Sequence, residues 1–179
     1  MHPDSTFSRR SLLTGSLAAL AAPRGLPGTP AVTAAPGSDP DCVFCQIVAG
    51  KREATFVWKD DLCVVFASIN PLQPGHLLVV PRQHVENVYG LPEDVGAHIL
   101  PVASRVGRAM KVTLGLDGLT LLQNNGKASG QAVFHFHLHL IPRHEGVEVF
   151  KTVVESPRAT PEQLESAVAP IRKALGSGR

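Results

Sequence analysis

The sequence of 179 residues has no apolar run of transmembrane length, no stripe of basic residues and no internal repeat. Its N-terminal apolar run, residues 12–22, has 11 residues, whereas a membrane-spanning helix needs about 20. The formal charge of +2 comes from residues 1–35, which contain three arginines and one aspartate, so the rest of the chain is formally neutral. We therefore predict no stable membrane anchor and no nucleic-acid partner, because a long basic surface is missing.

The first 35 residues differ in composition from the remainder. Arg9 and Arg10 stand just before the apolar run, and small residues follow up to Ala35. Basic, apolar and small-residue regions in this order are typical of an export signal, and the paired arginines resemble the twin-arginine type. We predict a signal peptide over residues 1–35, a linker over 36–41 and an exported protein. The alternative is a tail on a protein that stays in the cytoplasm.

The pattern of the remaining residues predicts an α+β fold with an antiparallel sheet. The expected elements are a short helix over 42–50, strands over 56–59, 63–66 and 75–80, a long helix over 92–114, strands over 119–123 and 133–142, and a terminal helix from residue 160. Pro101 is expected to bend or split the long helix. Thr160, Pro161 and Gln163 predict a capping box at the start of the terminal helix.

Histidine occupies every second position in His135-Phe136-His137-Leu138-His139. In a strand this alternation places the three imidazoles on one face, where they can serve a phosphate, a covalent intermediate or a metal. A neutral imidazole attacks phosphorus well, so His137 is the candidate nucleophile. The preceding glycine- and amide-rich loop, residues 124–131, offers donors for an anion. A metal site made of all three imidazoles is a rival interpretation.

Only one Cys-x-x-Cys pair is present, formed by Cys42 and Cys45. Such a pair is ambiguous among redox chemistry, a disulfide and half of a zinc site. A zinc site needs two further ligands, and His84 and His135 are available. A Cys42–Cys45 disulfide remains the alternative in an oxidising compartment.

Together these motifs resemble the histidine triad (HIT) family of nucleotide hydrolases and transferases. The resemblance rests on the histidine motif, on Asn124, Gly126, Gly130 and Gln131 before it, and on residues 74–84. It implies a HIT domain over 42–145 with a five-stranded antiparallel sheet and two main helices, pairing into a homodimer. Residues 146–179 would form a C-terminal extension that contains the terminal helix.

The resemblance also implies a role for each matching residue. His137 would take the nucleotidyl group, His139 would bond the phosphate and assist the leaving group, and His76 would support them. Phosphate would be bound by Asn124, Gly130 and Gln131, and structural zinc by Cys42, Cys45, His84 and His135, as in the zinc-containing bacterial branch. Substrates of the family are adenosine phosphoramidates, aminoacyl adenylates and dinucleoside polyphosphates.

Ser68 departs from the family pattern, which usually has an aspartate or asparagine at this position to bind the ribose hydroxyls. Serine lacks the charged, bidentate acceptor of a carboxylate, so the nucleoside preference is open. The sequence leaves three functions open. They are a nucleotide hydrolase or transferase acting through nucleotidyl-His137, a zinc-stabilised nucleotide-binding module with little turnover, and a metallohydrolase with its metal on His135, His137 and His139.

Overall fold

The computed structural model describes residues 39–149 and 157–176. The predicted signal peptide over 1–35 lies outside the described residues, as does the beginning of the predicted linker. Within the described part of the chain, no helix combines the length and the apolar character that crossing a membrane requires.

The described residues form three α-helices around one five-stranded sheet. In chain order these are α1 (Val43–Val48), β1 (Phe56–Lys59), β2 (Cys63–Ala67), β3 (Leu77–Pro81), α2 (Glu93–Leu114), β4 (Gly118–Leu122), β5 (Leu138–Arg143) and α3 (Pro161–Leu175). The sheet order is β1-β2-β3-β5-β4, and every pair of neighbouring strands is antiparallel. The predicted α+β fold with a five-stranded antiparallel sheet is confirmed.

Strands β2 and β3 are buried along their whole length, because helices cover both faces of the sheet. On one face, Val65 and Val79 join a large core with α2 and α3. On the other face, Val64 and Val80 join a smaller core with α1. The histidines of the motif meet the sheet on the α1 side, since His139 is opposite Leu78, which belongs to this smaller core.

Helix α2 continues through Pro101 without a break, so the predicted split is wrong. Proline removes the hydrogen bond to the carbonyl four residues earlier, which here belongs to Ala97. Both Ala97 and Pro101 are exposed, so water can satisfy that carbonyl. The buried apolar side of the helix keeps it on the core, and Gly115 ends it in the left-handed conformation, with φ of 62°.

The C-terminal extension is attached to the sheet by its helix. Thr160 and Gln163 form the predicted capping box, and Val168 and Ile171 of α3 are fully buried. Arg172 donates from Nε to the carbonyl of Phe56 on β1, at 2.8 Å. Just before the helix, the backbone N–H of Ala159 donates to the carbonyl of Ile69 at 2.9 Å. These contacts fix residues 157–160 beside the loop that joins β2 to β3.

Candidate active site and metal centre

The histidine strand begins later than the sequence predicts. Strand β5 starts at Leu138, whereas the prediction placed its start at residue 133. Residues 133–137 follow an irregular path because their polar groups bond outside the strand ladder: the N–H of Phe136 donates to the carbonyl of Val85, and His135 Nε2 bonds the carbonyl of Pro81 at 2.9 Å. Because of this irregular path, His135 lies in one site, and His137 and His139 lie in another.

His137 is held in one tautomer by the backbone. Its Nδ1 lies 2.7 Å from the carbonyl oxygen of His135, which can only accept, so Nδ1 carries the proton. Nε2 is therefore the nitrogen with a free lone pair. Burial lowers the pKa of His137, although the hydrogen bond to the His135 carbonyl opposes this effect. The result is a neutral imidazole whose available nitrogen is unprotonated.

His139 is held in the opposite tautomer by a chain of hydrogen bonds. The backbone N–H of Leu72 donates to His76 Nδ1 at 3.1 Å, so the proton of His76 is on Nε2. His76 Nε2 in turn donates to His139 Nδ1 at 2.9 Å, which leaves the His139 proton on Nε2. The rings of His137 and His139 are 4.8 Å apart between centroids. A nucleophilic nitrogen and an N–H donor thus lie side by side.

These two histidines line a cavity of about 420 Å³, within the usual range for a small-molecule site. The cavity has an apolar part and a polar part. The apolar part includes Phe44 and Ile47 of α1 with Phe66 and Leu78 of the sheet. The polar part combines the imidazoles of His76, His137 and His139 with Asn124, Gly130 and Ser68. A ligand that joins a planar apolar group to an anionic group would match this cavity, with the first group in the apolar part and the second in the polar part.

The loop before the histidines is shaped by glycine and by Gln131. Gly126 and Gly130 have φ of 83° and 84°, a conformation that favours glycine. Gln131 is buried, and its amide bonds the N–H of Gly126 and the carbonyls of Glu86 and Val133. It is not among the residues that line the cavity. The expectation that Gln131 binds phosphate directly is therefore corrected: its side chain is used to hold the loop, while Asn124 and Gly130 reach the cavity.

The second site contains the four residues predicted as metal ligands. One ligand atom from each of Cys42, Cys45, His84 and His135 lies within 4.8 Å of all the others. The Sγ atoms of Cys42 and Cys45 are each 3.5 Å from His135 Nδ1, and Cys45 Sγ is 3.2 Å from His84 Nδ1. Ligand atoms of a tetrahedral zinc site are roughly 3.3–3.8 Å apart, given bonds of about 2.0–2.3 Å. All three cysteines are free thiols.

The surroundings of these side chains also fit a metal. His135 donates from Nε2 to the carbonyl of Pro81, which leaves Nδ1 unprotonated and directed at the thiols. Burial lowers the pKa of His135 to about 4, so the ring stays neutral. Burial also raises the pKa of Cys45 to about 11. The raised pKa favours the protonated thiol, whereas a bound divalent cation would favour the thiolate.

The structure does not support a metal bound by His135, His137 and His139. Among the described residues, His135 belongs to the group of Cys42, Cys45, His84 and His135, called the cysteine cluster, and the other two histidines belong to no group of close metal ligands. His137 Nδ1 is occupied by the His135 carbonyl, and His139 Nδ1 is occupied by His76. The metallohydrolase interpretation is therefore wrong.

Three contributors to the site were not predicted from the sequence. Phe44 lies edge-on to His137 with 5.2 Å between ring centroids. Its place between Cys42 and Cys45 in the sequence is the one feature that could have drawn attention to it. Leu72 contributes a backbone N–H, which no side-chain pattern can reveal. Arg158 lines the cavity from the C-terminal extension, and only the folded chain brings it there.

A family model, the HIT domain, matches residues 49–146. Protein hit of Bacillus subtilis (strain 168) is 34% identical over 139 residues, which are 76% of this chain and 96% of that protein. Adenylylsulfatase HINT3 of Arabidopsis thaliana is 38% identical over 105 residues, which are 59% of this chain and 53% of that enzyme. The crystal structure of a zinc-bound histidine triad family protein from Mycobacterium smegmatis has a TM-score of 0.67 and 34% identity, covering 75% of this chain and 93% of that chain.

The imidazoles of His76 and His139 should remain neutral well below the usual pKa of histidine, about 6.5. Burial, together with the neighbouring imidazoles, lowers the pKa of His76 to about 4 and that of His139 to about 3. Between pH 6.5 and 4 the unfolded chain therefore binds protons that the folded chain does not. The free energy of unfolding should fall as the pH drops through this window, and urea titrations at several pH values would measure it.

A matched variant isolates this effect from other titrating groups. In the double variant His76→Gln, His139→Gln, neither position can bind a proton, so the pH dependence between 6.5 and 4 should become shallower than in the wild type. Imidazole NMR of the wild type should place both rings in the neutral form at pH 5. An unchanged slope in the double variant, or rings that titrate near pH 6.5, would contradict the assignment.

Proposed function

Because the chain belongs to the HIT domain family, we propose that it is a nucleotide hydrolase or nucleotidyl transferase that forms a covalent intermediate on His137. The observation that carries the proposal is the fixed tautomer of this residue, with Nδ1–H bonded to the His135 carbonyl and Nε2 left free in a ligand-sized cavity. The similarity to an adenylylsulfatase supports substrates in which an adenylyl group is joined to a good leaving group.

In the first step, Nε2 of His137 attacks the α-phosphorus of the nucleotide. A phosphorus–nitrogen bond forms while the bond to the leaving group breaks, and the leaving group departs with the electron pair. The attack puts a positive charge on the His137 ring. The Nδ1–H bond to the His135 carbonyl then becomes charge-assisted, so it is stronger in the transition state than in the resting enzyme.

In the second step, water attacks the same phosphorus atom. The phosphorus–nitrogen bond breaks, its electron pair returns to Nε2, and the proton from water passes to the nucleotide product or to solvent. A nucleotide, alcohol or amine that takes the place of water gives the transferase reaction. The neutral ring of His137 is restored for another cycle.

His139 supports both steps as a hydrogen-bond donor. Its Nε2–H, fixed by the bond between its Nδ1 and His76, can donate to a phosphoryl oxygen and stabilise the charge that develops there. The pKa of about 3 keeps the ring neutral, so it is not an imidazolium acid at neutral pH. This favours leaving groups that need no proton, such as sulfate, or that arrive already protonated, such as an amine.

Incubation of the protein with labelled adenosine 5′-phosphoramidate or adenosine 5′-phosphosulfate, followed by rapid quenching and peptide mass spectrometry, should locate an adenylyl group on His137. The variant His137→Asn should lose the label and lower kcat/KM by roughly 10³-fold or more, because the nucleophile is removed. His144→Asn is the matched control, since His144 is half-exposed and lies outside the cavity.

The outcomes separate the two remaining functions. Label on His137 that is lost in His137→Asn and kept in His144→Asn supports the enzyme. Tight binding of adenosine monophosphate with neither label nor turnover would instead favour the nucleotide-binding module.

We also propose that Cys42, Cys45, His84 and His135 hold one structural zinc ion. Their ligand distances and the zinc-bound relative support this assignment. Bound zinc would join α1 to the residues after β3 and before β5, and would keep the thiols deprotonated. His84 Nε2 lies 3.8 Å from Asp39, a carboxylate that can orient the ring.

Purified protein should contain about one zinc ion per chain by elemental mass spectrometry, as four protein ligands predict. Cys42→Ser should lose most of this zinc and unfold at a lower temperature, because a thiolate ligand is removed. His144→Asn is the matched control, since His144 is half-exposed and belongs to neither group of side chains that could hold a metal. Zinc-free wild-type protein, or equal zinc loss in both variants, would count against the site.

We further propose that two copies pair through α2 and the edge strand β4. Leu121 on β4 and Leu100 and Val112 on α2 are large apolar residues with exposures of 48%, 59% and 83%. Strand β4 ends the sheet order, so its outer backbone groups can pair with another strand. Sedimentation velocity should therefore give a dimer, and Leu121→Glu should shift it to monomer with an unchanged circular dichroism spectrum. A monomeric wild type would refute this pairing.

A further inference from the structure

The cavity in front of His137 has a third wall that the proposed reaction does not use. It consists of Ser68, Ile69 and Asn70 after β2, together with Arg52 and Arg158. The same arginines and Ile69 also line the neighbouring groove outside this cavity. These five residues are called the arginine wall, and both of its arginines are exposed.

Arg158 is held at the arginine wall by its backbone neighbours. The N–H of Ala159 is bonded to the Ile69 carbonyl, and Thr160 begins the capped helix α3. Neither Arg158 nor Arg52 has a carboxylate partner among the described residues. Glu53 is the one acidic residue among those that line the cavity, and it forms no ion pair with either arginine. Two cationic groups are therefore available to an anion.

Ser68 relates this wall to the reacting phosphorus. Its backbone N–H donates to the carbonyl of His76 at 2.9 Å, and the His76 ring bonds His139. The Ser68 hydroxyl donates to the Asn70 carbonyl at 3.2 Å and can still accept. Ser68, Phe44 and His137 line the same cavity. In the proposed binding mode the α-phosphate lies at His137 and the base lies against Phe44, so the sugar between them lies in this cavity, whose arginine wall has a neutral hydroxyl and two arginines.

This chemistry is opposite to what a plain ribose requires. A carboxylate accepts hydrogen bonds from sugar hydroxyls and repels a sugar phosphate, whereas arginine binds phosphate with two parallel hydrogen bonds. The same contrast between an acidic residue and an arginine distinguishes unphosphorylated from phosphorylated ribose in dinucleotide sites. The arginine wall resembles the second case.

Building on the proposed function, we infer that the arginine wall binds a phosphate esterified to the ribose of the substrate. The preferred substrates are then nucleotides that carry a phosphate on the 2′ or 3′ oxygen in addition to the reactive α-phosphorus. Arg158 supplies the main contact and acts as a specificity-determining residue, with Arg52 as a second cation and Ser68 as the neutral neighbour that allows a phosphate to approach.

The test compares adenosine 5′-phosphosulfate with 3′-phosphoadenosine 5′-phosphosulfate as substrates of the full chain. The 3′-phosphorylated compound should have the higher kcat/KM, by about tenfold at low salt, and the advantage should shrink as salt screens the exposed arginines. In Arg158→Gln this ratio should fall toward one, and in Ser68→Asp it should invert. Arg108→Gln is the matched control, because Arg108 is an exposed arginine on α2 that bonds Ser104. This variant should leave the ratio of the two kcat/KM values unchanged.

Binding measurements make the inference independent of turnover. Calorimetry should show that adenosine 3′,5′-bisphosphate or adenosine 2′,5′-bisphosphate binds more tightly than adenosine monophosphate, and that Arg158→Gln removes the difference. Equal kcat/KM for both sulfates together with equal binding of all three nucleotides would overturn the inference while leaving the proposed reaction intact. If neither sulfate is turned over but a bisphosphate binds more tightly than adenosine monophosphate, the inference about the arginine wall is supported and the proposed enzymatic activity is refuted.

Discussion

The hydrogen bond from Nδ1–H of His137 to the carbonyl oxygen of His135 is the interaction on which both sites depend. His135 has three fixed groups: its Nε2–H is bonded to Pro81, its Nδ1 faces the thiols of the cysteine cluster, and its carbonyl accepts from His137. Because one residue belongs to both sites, any shift of the cysteine cluster moves the carbonyl that determines the tautomer of His137. In the proposed reaction, a structural metal there would therefore act only by positioning His137, without touching the substrate.

Two separate hydrogen-bond chains give the neighbouring imidazoles opposite tautomers. The chain that starts at the His135 carbonyl leaves a lone pair on His137, and the chain that starts at the Leu72 N–H leaves a proton on His139. Burial keeps both rings neutral, since desolvation is the largest cause of their lowered pKa values. Two identical side chains thus acquire different chemistry, and the difference comes entirely from backbone groups at fixed positions.

The sequence predicted those parts of the molecule whose pattern is periodic or whose side chains define a chemistry. The helical spacing of α2 and the capping box at Thr160 followed from local rules. The four residues of the cysteine cluster followed from the family resemblance, because the Cys-x-x-Cys pair alone left several chemistries open. The start of β5 did not, because tertiary hydrogen bonds of Phe136 and His135 override the strand alternation. Gln131 could not be distinguished from a ligand-binding residue, since only the fold decides which backbone groups satisfy a buried amide.

The family domain and the flanking segments supply different parts of the site. Residues 49–146, which match the family model, contain every histidine of the two hydrogen-bond chains. Phe44 and the two cysteines precede that segment, and Arg158 follows it. The histidine motif thus lies within the matched domain, whereas Phe44 of the cavity, half of the cysteine cluster and Arg158 of the arginine wall come from outside it. Arg158 directly precedes Ala159, which bonds the Ile69 carbonyl, and Thr160, which caps α3. The contact proposed for Arg158 therefore depends on the same interactions that attach the C-terminal helix to the sheet.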